Sequence, residues 1–213
     1  MARTVVLDVD GTLMDTNYLH VEAWARALDV VGVRVPRVEI HKQIGRGSDQ
    51  LISQFVEDEE VAERVNELHS ELYSGFQKFG YPLPGAKELI SALAERGYEV
   101  WFVTSAKPEE LEHHLQALEA EDRLSGVVSS GDVERSKPAP DIFELTLEKA
   151  GTSPGETVAV GDSVWDVEAA KAADVRTVAV LTGGAFGEAE LKEAGAVEVY
   201  KDCAALLESG FPE

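Results

Sequence analysis

The chain contains a single cysteine, Cys203, among its 213 residues. One cysteine excludes an intrachain disulfide and a cysteine-based metal cluster, and it fits a reducing compartment. Long apolar runs are also missing, because no segment approaches the ~20 apolar residues that a membrane-spanning helix needs. The apolar start at residues 4–7 is too short for a targeting leader and leads directly into Asp8. We therefore expect a cytoplasmic protein with no membrane partner.

Basic residues are scarce as well. The chain has 19 lysines and arginines against 40 aspartates and glutamates, which gives a formal net charge of −21. Such a chain has little with which to neutralise a phosphate backbone, so nucleic acid is not an expected partner. If the substrate is an anion, the net field opposes its approach and the site must contain local positive charge. Nothing in the sequence indicates the oligomeric state, so a monomer is the default expectation and a dimer stays open.

Short β-branched runs alternate with amphipathic stretches along most of the chain. The runs predict strands at residues 4–9, 99–103, 126–129, 157–160, 176–180 and 198–200. Apolar residues spaced three and four apart predict helices at residues 86–96, 108–118, 141–150, 166–173, 188–194 and 204–209. Apolar strands that alternate with helices are typical of a parallel sheet covered on both faces. The sequence therefore predicts an α/β fold with a Rossmann-like parallel core.

Residues 15–81 interrupt this alternation. They contain no convincing strand, but they show helical patterns at residues 19–31, 51–55 and 61–76. The prolines at 82 and 84 then resist helix before the strand and helix alternation resumes. We expect an α/β core of residues 1–14 and 82–213 with a small helical cap of residues 15–81 inserted after the first strand. Two linkers at one edge would form a hinge for a lid that expels water from the site.

The sequence Asp-Val-Asp-Gly-Thr at residues 8–12 directly follows the first apolar strand. Carboxyl ends of parallel strands are where open α/β sheets place their chemistry. Asp8 and Asp10 project to the same side of an extended segment, where their negative charges repel each other. The pair is stable only if a cation lies between the two carboxylates or if one acts as an acid and the other as a base. By itself an Asp-x-Asp-Gly segment is more often a solvated turn, so its meaning depends on the later strand ends.

Polar residues follow three of the later strands. Thr104 and Ser105 come after the second strand and before the helix that Pro108 starts, where free backbone amides favour an anion. Lys137 lies in a loop just before two prolines, which makes it stiffer than a surface lysine. Asp162 follows the strand at residues 157–160, and Asp166 opens the next helix. Each of these residues also fits a purely structural role, which stays open. Thr104 could cap the following helix, Lys137 could be a solvated surface lysine, and Asp166 could be the N-cap of its helix.

In this order and on these strand ends, the four motifs resemble those of haloacid-dehalogenase-superfamily phosphotransferases. The resemblance extends over essentially the whole chain, and the helical insert resembles the small cap of the branch that contains phosphoglycolate phosphatases and β-phosphoglucomutase. It implies that Asp8 is the nucleophile that forms an aspartyl-phosphate and that Asp10 is the acid and base. It also implies that Thr104, Ser105 and Lys137 bind the phosphate.

The same resemblance implies a Mg²⁺ site. Its ligands would be Asp8, the backbone carbonyl of Asp10, and Asp162, with Asp166 bound through water or paired with Lys137. A carboxylate that attacks an anionic phosphate meets strong repulsion, and Mg²⁺ prefers oxygen ligands of this kind. With Lys137 and backbone amides, this cation would supply the local positive charge that an acidic chain needs for a small-molecule phosphate ester.

Asp10 separates the branches of this family. As the family is known, the members that cleave carbon–halogen bonds lack an acid at this position and the phosphonate-cleaving members carry alanine. A leaving alkoxide needs a proton, whereas a leaving halide does not. Asp10 therefore favours phosphate-ester chemistry.

Two enzymatic functions stay open within that branch, and a non-catalytic phospho-ligand binder is a third. We favour a Mg²⁺-dependent phosphatase acting on a phosphoglycolate or sugar phosphate type of metabolite. A phosphosugar mutase is the alternative, because Thr16, His20 and Trp24 match the pattern of β-phosphoglucomutase. A mutase also needs cap groups for a second phosphate, and the loop around Arg46 looks more like the glycine-rich cap loop of phosphatases.

The insert contributes two candidate substrate residues. His20 fits a role in proton transfer and equally a partly exposed helix position, and Arg46 fits a substrate-binding residue between two glycines and equally a solvated arginine. Trp24 is expected in the core of the insert. The remaining histidines are expected on exposed helix faces, away from any metal site: His41, His69, His113 and His114.

Overall fold

A six-stranded parallel sheet forms the centre of the protein, whose computed structural model describes residues 2–106 and 108–212. The strands are β1 (Thr4–Leu7), β2 (Glu99–Thr104), β3 (Gly126–Ser129), β4 (Thr157–Gly161), β5 (Arg176–Val180) and β6 (Glu198–Tyr200). They lie in the order β3-β2-β1-β4-β5-β6. The predicted α/β class with a Rossmann-like parallel sheet is confirmed.

The order of the strands decides where the site lies. From β1 the chain proceeds to β2 and β3 on one side of the sheet and returns to β4 on the other side of β1. The connections leave in opposite directions at the β1–β4 boundary, which opens a crevice at the carboxyl ends of these two strands. In register, Leu7 of β1 pairs with Val160 of β4, so the residues that follow them emerge side by side.

Helices cover both faces of the sheet. They are α5 (Ala86–Glu95), α6 (Pro108–Leu118), α7 (Asp141–Ala150), α8 (Val164–Ala172), α9 (Glu188–Ala194) and α10 (Cys203–Glu208). Alternate β1 residues point to opposite faces: Val5 and Leu7 join one apolar cluster with α5 and α10, and Val6 joins another with α7 and α8. Burial on both faces explains why the strands are apolar without a polar alternation.

Residues 17–79 lie outside the sheet. They form α1 (Asn17–Val30), α2 (Arg37–His41), α3 (Ser48–Ile52) and α4 (Glu59–Phe76), followed by a short 3-10 turn. We call these elements the helical insert. The insert has an apolar cluster of its own, which includes Trp24 as predicted. No helix among the described residues is both long and apolar enough to cross a membrane.

The chain enters and leaves the insert through two segments that touch. The backbone N–H of Asp15 donates to the carbonyl of Tyr81 at 2.9 Å, and that of Leu83 donates to the carbonyl of Leu13 at 2.8 Å. Because both crossings lie at one edge of the sheet, we propose residues 15–81 as a unit that moves about this pair of segments.

Small differences from the predicted elements have local causes. β1 ends at Leu7 rather than Val9, and the chain turns at residues 11–13, where Gly11 has a φ of 81°. Helix α8 begins two residues before Asp166, because the Ser163 side chain caps it and Asp166 is the third helical residue. Helix α2 was not predicted, since it has five residues and too few positions to show a period.

Candidate active site

Carboxylates from β1 and β4 meet at the crevice between these strands. Asp8 follows β1, Asp162 follows β4, and Asp166 lies in the first turn of α8. All three are buried, and one oxygen from each lies within 4.8 Å of the others. Three buried carboxylates this close repel one another strongly unless positive charge lies among them.

Lys137 supplies part of that charge. Its side chain is 1% exposed, and its Nζ donates to Asp8 Oδ1 and to Asp166 Oδ1, each at 2.7 Å. Burial alone would lower the pKa of Lys137, but the charges of Asp166 and Asp8 outweigh it and raise the pKa. The structure thus places Lys137 in the site rather than in solvent, and the ammonium group stays charged between its two partners.

Asp166 has a capping role and a pairing role at once. Its Oδ2 accepts hydrogen bonds from the Ser163 backbone N–H at 3.1 Å and from the Ser163 hydroxyl at 2.6 Å, which completes a capping box at the start of α8. Its Oδ1 accepts from Lys137. The helix start therefore fixes the carboxylate that holds Lys137 in place.

The donor set fits a hard cation. Thr12 Oγ1 lies 3.1 Å from Asp8 Oδ2 and 2.9 Å from Asp162 Oδ1, and Asn17 Nδ2 donates to Asp162 Oδ2 at 3.2 Å. Burial and the charge of Asp166 raise the pKa of Asp8 to about 7, and burial with the charge of Asp8 raises the pKa of Asp162 well above its ordinary value. Lys137 is thus insufficient to neutralise the cluster. Oxygen ligands in this arrangement suit Mg²⁺.

Asp10 lies in a different environment from Asp8. Its Oδ1 accepts a hydrogen bond from Thr16 at 2.6 Å and lies 3.5 Å from His20 Nε2 and 3.9 Å from His114 Nε2. Burial alone would raise the pKa of Asp10, but His114, His20 and Thr16 outweigh it and hold the pKa well below its usual range. The two aspartates, two residues apart, are therefore driven toward different protonation states.

Thr104 is the last residue of β2, and Ser105 follows it. Thr104 is fully buried, and its hydroxyl accepts from the backbone N–H of Ala106 at 2.9 Å, so it does stabilise the turn before α6. Ser105 and Ala106 line the cavity above Asp8. The anion site predicted at the start of α6 includes residue 107, which lies outside the described residues.

A cavity of about 80 Å³ lies at the boundary between the core and the helical insert. Its lining includes Asp8, Asp10 and Ser105 from the core, and His20 and Arg46 from the insert. The predicted core and insert residues are therefore brought to one space. Thr104, Lys137, Asp162 and Asp166 are not among its lining residues.

Stacked rings from the insert form the wall next to Asp10. The His20 ring stacks on Tyr73 with centroids 3.8 Å apart, and the His69 ring stacks on Trp24 at 3.7 Å. His20 Nδ1 and His69 Nε2 lie 3.2 Å apart. Burial disfavours protonation of His20, but Asp10 and Glu110 outweigh it and raise the pKa of His20.

The predicted exposure of the histidines is wrong at three of four positions. His41, His69 and His114 are buried, at 8%, 5% and 0% exposure, and only His113 is intermediate. Each buried ring lies on a helix face that packs against another part of the chain. His41 Nε2, for example, lies 2.9 Å from the carbonyl of Gly183 in the core. Helical periodicity cannot show a contact between distant segments.

The loop that carries Arg46 lies directly against the core. The Arg46 guanidinium stacks over the Trp165 ring at 3.7 Å, and Trp165 Nε1 donates to the carbonyl of Lys42 at 3.0 Å. A Cβ on Gly45 would lie 2.6 Å from Ser163 Oγ, and one on Gly47 would lie 2.1 Å from Ser136. Glycine at position 45 thus allows the loop to approach Ser163, and glycine at position 47 allows it to approach Ser136 beside Lys137.

A second contact holds the same loop. Lys42 Nζ pairs with Glu190 at 2.8 Å and lies 4.4 Å from the centre of the Phe186 ring. Neither these residues nor Trp165 were singled out from the sequence, because a single lysine and a helix tryptophan carry no signal for a contact across the crevice. Thr12 and Asn17 were also missed, although both follow the Asp8 motif closely.

Comparisons with known proteins agree with this geometry. The model of the haloacid dehalogenase-like hydrolase family matches residues 2–174. A phosphorylated carbohydrates phosphatase of Thermotoga maritima is 28% identical over 204 residues, which cover 93% of this chain and 94% of that protein. A phosphoglycolate phosphatase of Aliivibrio fischeri is 28% identical over 201 residues, 87% of each chain. The crystal structure of a hydrolase from Pseudomonas syringae superposes with a TM-score of 0.92 at 32% identity, over 98% of this chain and 97% of that one.

Proposed function

Because this chain belongs to the haloacid dehalogenase-like hydrolase family, we propose that it is a Mg²⁺-dependent phosphatase that acts on a small phosphorylated metabolite through an aspartyl-phosphate. One observation carries the proposal: Asp8, Asp162 and Asp166 form a buried carboxylate cluster with Lys137 paired to Asp8. A cluster of this kind suits a cation and a phosphate together. The relatives named phosphatases for phosphorylated carbohydrates and for phosphoglycolate support the same class of substrate.

Asp8 is the nucleophile in this mechanism. One of its oxygens attacks phosphorus, the bond between phosphorus and the leaving oxygen breaks, and Asp10 gives its proton to that oxygen. Water then attacks the aspartyl-phosphate, Asp10 takes the proton from this water, and Asp8 is released with inorganic phosphate. Mg²⁺ would be held by Asp8, the Asp10 carbonyl and Asp162, with Asp166 through water, and would offset the charge between carboxylate and phosphate.

Lys137, Thr104 and Ser105 position the phosphate. Lys137 is held by Asp166 and points at Asp8, so its charge lies where the phosphoryl group is transferred. Phosphoryl transfer depends mainly on positioning and charge stabilisation, which fixed groups provide without reorganisation. His20 and Arg46 line the cavity from the insert, so closure of the insert brings them to the substrate and expels water.

The low pKa of Asp10 suits its second task directly. An ionised carboxylate is ready to take a proton from water. For the first task Asp10 must carry a proton, and the negative charge of a bound phosphate ester favours this because like charges raise a carboxylate pKa. Thr16 and His20 then fix the carboxylate in place while its protonation changes.

The role of Asp10 as acid predicts a dependence on the leaving group. In Asp10→Asn we expect kcat/KM for an alkyl phosphate to fall by about 10²- to 10⁴-fold, as loss of a general acid does. The loss for p-nitrophenyl phosphate should be clearly smaller, since p-nitrophenolate leaves without a proton. Steady-state kinetics on glycerol phosphate and p-nitrophenyl phosphate would measure both. Equal losses on the two esters would contradict an acid role, because only the alkoxide needs the proton.

The contacts of Asp10 also keep a mutase as the second candidate. Thr16 donates a hydrogen bond to Asp10, and His20 lies beside Asp10. Thr16 and His20 are two of the residues in which this chain resembles β-phosphoglucomutase. A mutase must also bind a second phosphate, and Arg46 is the one arginine or lysine among the described residues that line the cavity. A single stacked arginine is weak support for a bisphosphate, so we favour the phosphatase.

Product analysis separates these two functions. We expect β-glucose 1-phosphate with a glucose bisphosphate primer to give inorganic phosphate, if it is accepted, and no glucose 6-phosphate. Accumulation of glucose 6-phosphate without release of phosphate would replace the phosphatase by the mutase. Phosphate detection and enzymatic assay of glucose 6-phosphate in the same samples provide both readouts.

A further inference from the structure

Asn17, the first residue of helix α1, joins the helical insert to one carboxylate of the cluster. It is 3% exposed, and its Nδ2 donates to Asp162 Oδ2 at 3.2 Å and to the carbonyl oxygen of Gly183 at 3.3 Å. An ionised carboxylate and a carbonyl both accept hydrogen bonds and donate none, so the amide nitrogen rather than the amide oxygen must face them. The orientation of the Asn17 side chain is therefore set by its two partners.

Two glycines leave the space that this contact fills. A Cβ on Gly11 would lie 2.6 Å from Asp162 Oδ2 and would overlap Asn17 Nδ2, and a Cβ on Gly183 would overlap Asp162 Oδ2. Non-bonded heavy atoms do not approach this closely, so neither glycine can carry a side chain while Asn17 and Asp162 keep their positions. The hydrogen bond is thus built into the packing of the site.

Asn17 is the donor that Asp162 does not share with Asp8. Lys137 pairs with the other two carboxylates of the cluster, whereas the hydrogen bonds that the structure describes for the Asp162 side chain come from Thr12 and Asn17. The Thr12 hydroxyl has one proton and also lies 3.1 Å from Asp8 Oδ2, so it cannot donate to both carboxylates at once. The amide of Asn17 has two N–H groups, one for Asp162 and one for the carbonyl of Gly183.

Hydrogen bonds from surrounding residues orient the side chains that bind a metal. We propose that Asn17 is a positioning residue, which holds Asp162 from the helical insert in the orientation in which this carboxylate binds Mg²⁺. The proposal rests on the metal site of the phosphatase proposed above and adds to that site a residue from outside the four motifs. Mg²⁺ demands near-ideal octahedral geometry, whereas Ca²⁺ accepts irregular geometry, so Asn17 matters more for Mg²⁺ than for Ca²⁺.

Titration of the whole chain with Mg²⁺ and with Ca²⁺ in a calorimeter tests this role without a substrate. Asn17→Leu has a branched side chain of the same length but no donor. In this variant we expect the Kd for Mg²⁺ to rise by about 10- to 100-fold, as the loss of a partner that holds a metal ligand does. The Kd for Ca²⁺ should rise by a smaller factor.

His41→Leu is the matched control. His41 is also a buried residue of the insert, and its Nε2 lies 2.9 Å from the same carbonyl of Gly183. The change removes a contact between the insert and the core but leaves the hydrogen bond from Asn17 to Asp162 in place. We therefore expect the Kd for Mg²⁺ in His41→Leu to equal that of the unchanged protein.

The outcomes separate this inference from the function on which it rests. If the unchanged protein binds no Mg²⁺, the proposed function fails first. If it binds Mg²⁺ and a folded Asn17→Leu has the same Kd, the inference is wrong and the phosphatase stands. An equal rise in Asn17→Leu and His41→Leu also overturns it, because docking of the insert would then explain the effect without Asp162.

A second variant and a measurement on the unchanged protein cover a loss of folding. Should Asn17→Leu not fold, as judged by circular dichroism, Asn17→Ala removes the same donor with less strain and should weaken Mg²⁺ binding in the same direction. In the unchanged protein, the side-chain amide resonance of Asn17 should shift in nitrogen-15 NMR spectra when Mg²⁺ is added. A resonance that does not move at saturating Mg²⁺ would contradict a hydrogen bond to a ligand of the cation.

Discussion

Replacing Asp8 with asparagine lowers kcat for p-nitrophenyl phosphate by at least about 10⁴-fold, because the variant has no nucleophile to accept the phosphoryl group. The amide has nearly the shape of the carboxylate, so the change removes charge and nucleophilicity with little loss of packing. Lys137 keeps its second partner, Asp166 at 2.7 Å, and the fold should survive. Steady-state hydrolysis of p-nitrophenyl phosphate with saturating Mg²⁺ measures the effect.

Two controls make the Asp8 result interpretable. Asp122→Asn changes the same atoms at an exposed position between α6 and β3 and should keep full activity. Thermal unfolding followed by circular dichroism should show a folded Asp8→Asn. Full activity in a folded Asp8→Asn would remove Asp8 as the nucleophile, and with it the aspartyl-phosphate.

Removal of Mg²⁺ is the second large effect. We expect chelation with EDTA to reduce hydrolysis by at least about 10³-fold, because Asp8 and an anionic phosphate would then face each other with only Lys137 between them. Readdition of Mg²⁺ should restore activity, whereas Ca²⁺ should restore it poorly, since it prefers more ligands at longer distances. Undiminished hydrolysis after exhaustive chelation would contradict a metal-dependent enzyme.

The same cation should stabilise the fold. Binding at a concentration one hundred times Kd adds about 2.7 kcal/mol to the free energy of unfolding. For a chain of this size that corresponds to an increase in Tm of about 5–10 °C. Differential scanning fluorimetry with EDTA and with Mg²⁺ measures it, and Asp162→Asn should reduce the shift. An equal shift in Asp162→Asn would place the cation elsewhere.

The stabilisation by Mg²⁺ should grow with pH. Without a cation, the pKa of Asp8 is about 7 in the folded protein against 3.8 ordinarily, so the folded state holds a proton that the unfolded chain has released. This contribution to stability is present at low pH and is lost as pH rises through the folded pKa. Protons and Mg²⁺ compete for the same carboxylates, so the Tm shift should be larger at pH 8 than at pH 5.5. A shift that does not change with pH would show that Asp8 is not a ligand.

The sheet was predictable because its signals are local. The strands predicted at residues 126–129, 176–180 and 198–200 agree with β3, β5 and β6 at both ends, since apolar runs bounded by turns appear directly in the sequence. The core motifs were predictable for a related reason: Asp8 and Asp162 each follow such a strand, and parallel strands end at one edge. Their meeting follows from the fold class alone.

The contacts between the insert and the core were not predictable in this way. His69 and His114 were expected to be exposed but are buried, because each faces a segment far away in the sequence. The stack of Arg46 on Trp165 joins residues more than a hundred positions apart, and no local pattern marks either member.

By itself, the sequence determined the α/β class, the alternation of strands and helices along the core, and the four motifs that indicate phosphoryl transfer, because each depends on residues close together in the chain. Only the tertiary structure decided what surrounds the leaving group. The docking of the insert over the crevice brings His20 and Asn66 into one cavity with Asp10 and stacks Arg46 on Trp165. That arrangement depends on packing between segments that are far apart in the sequence. Their contacts are short in space, so no local sequence pattern shows them.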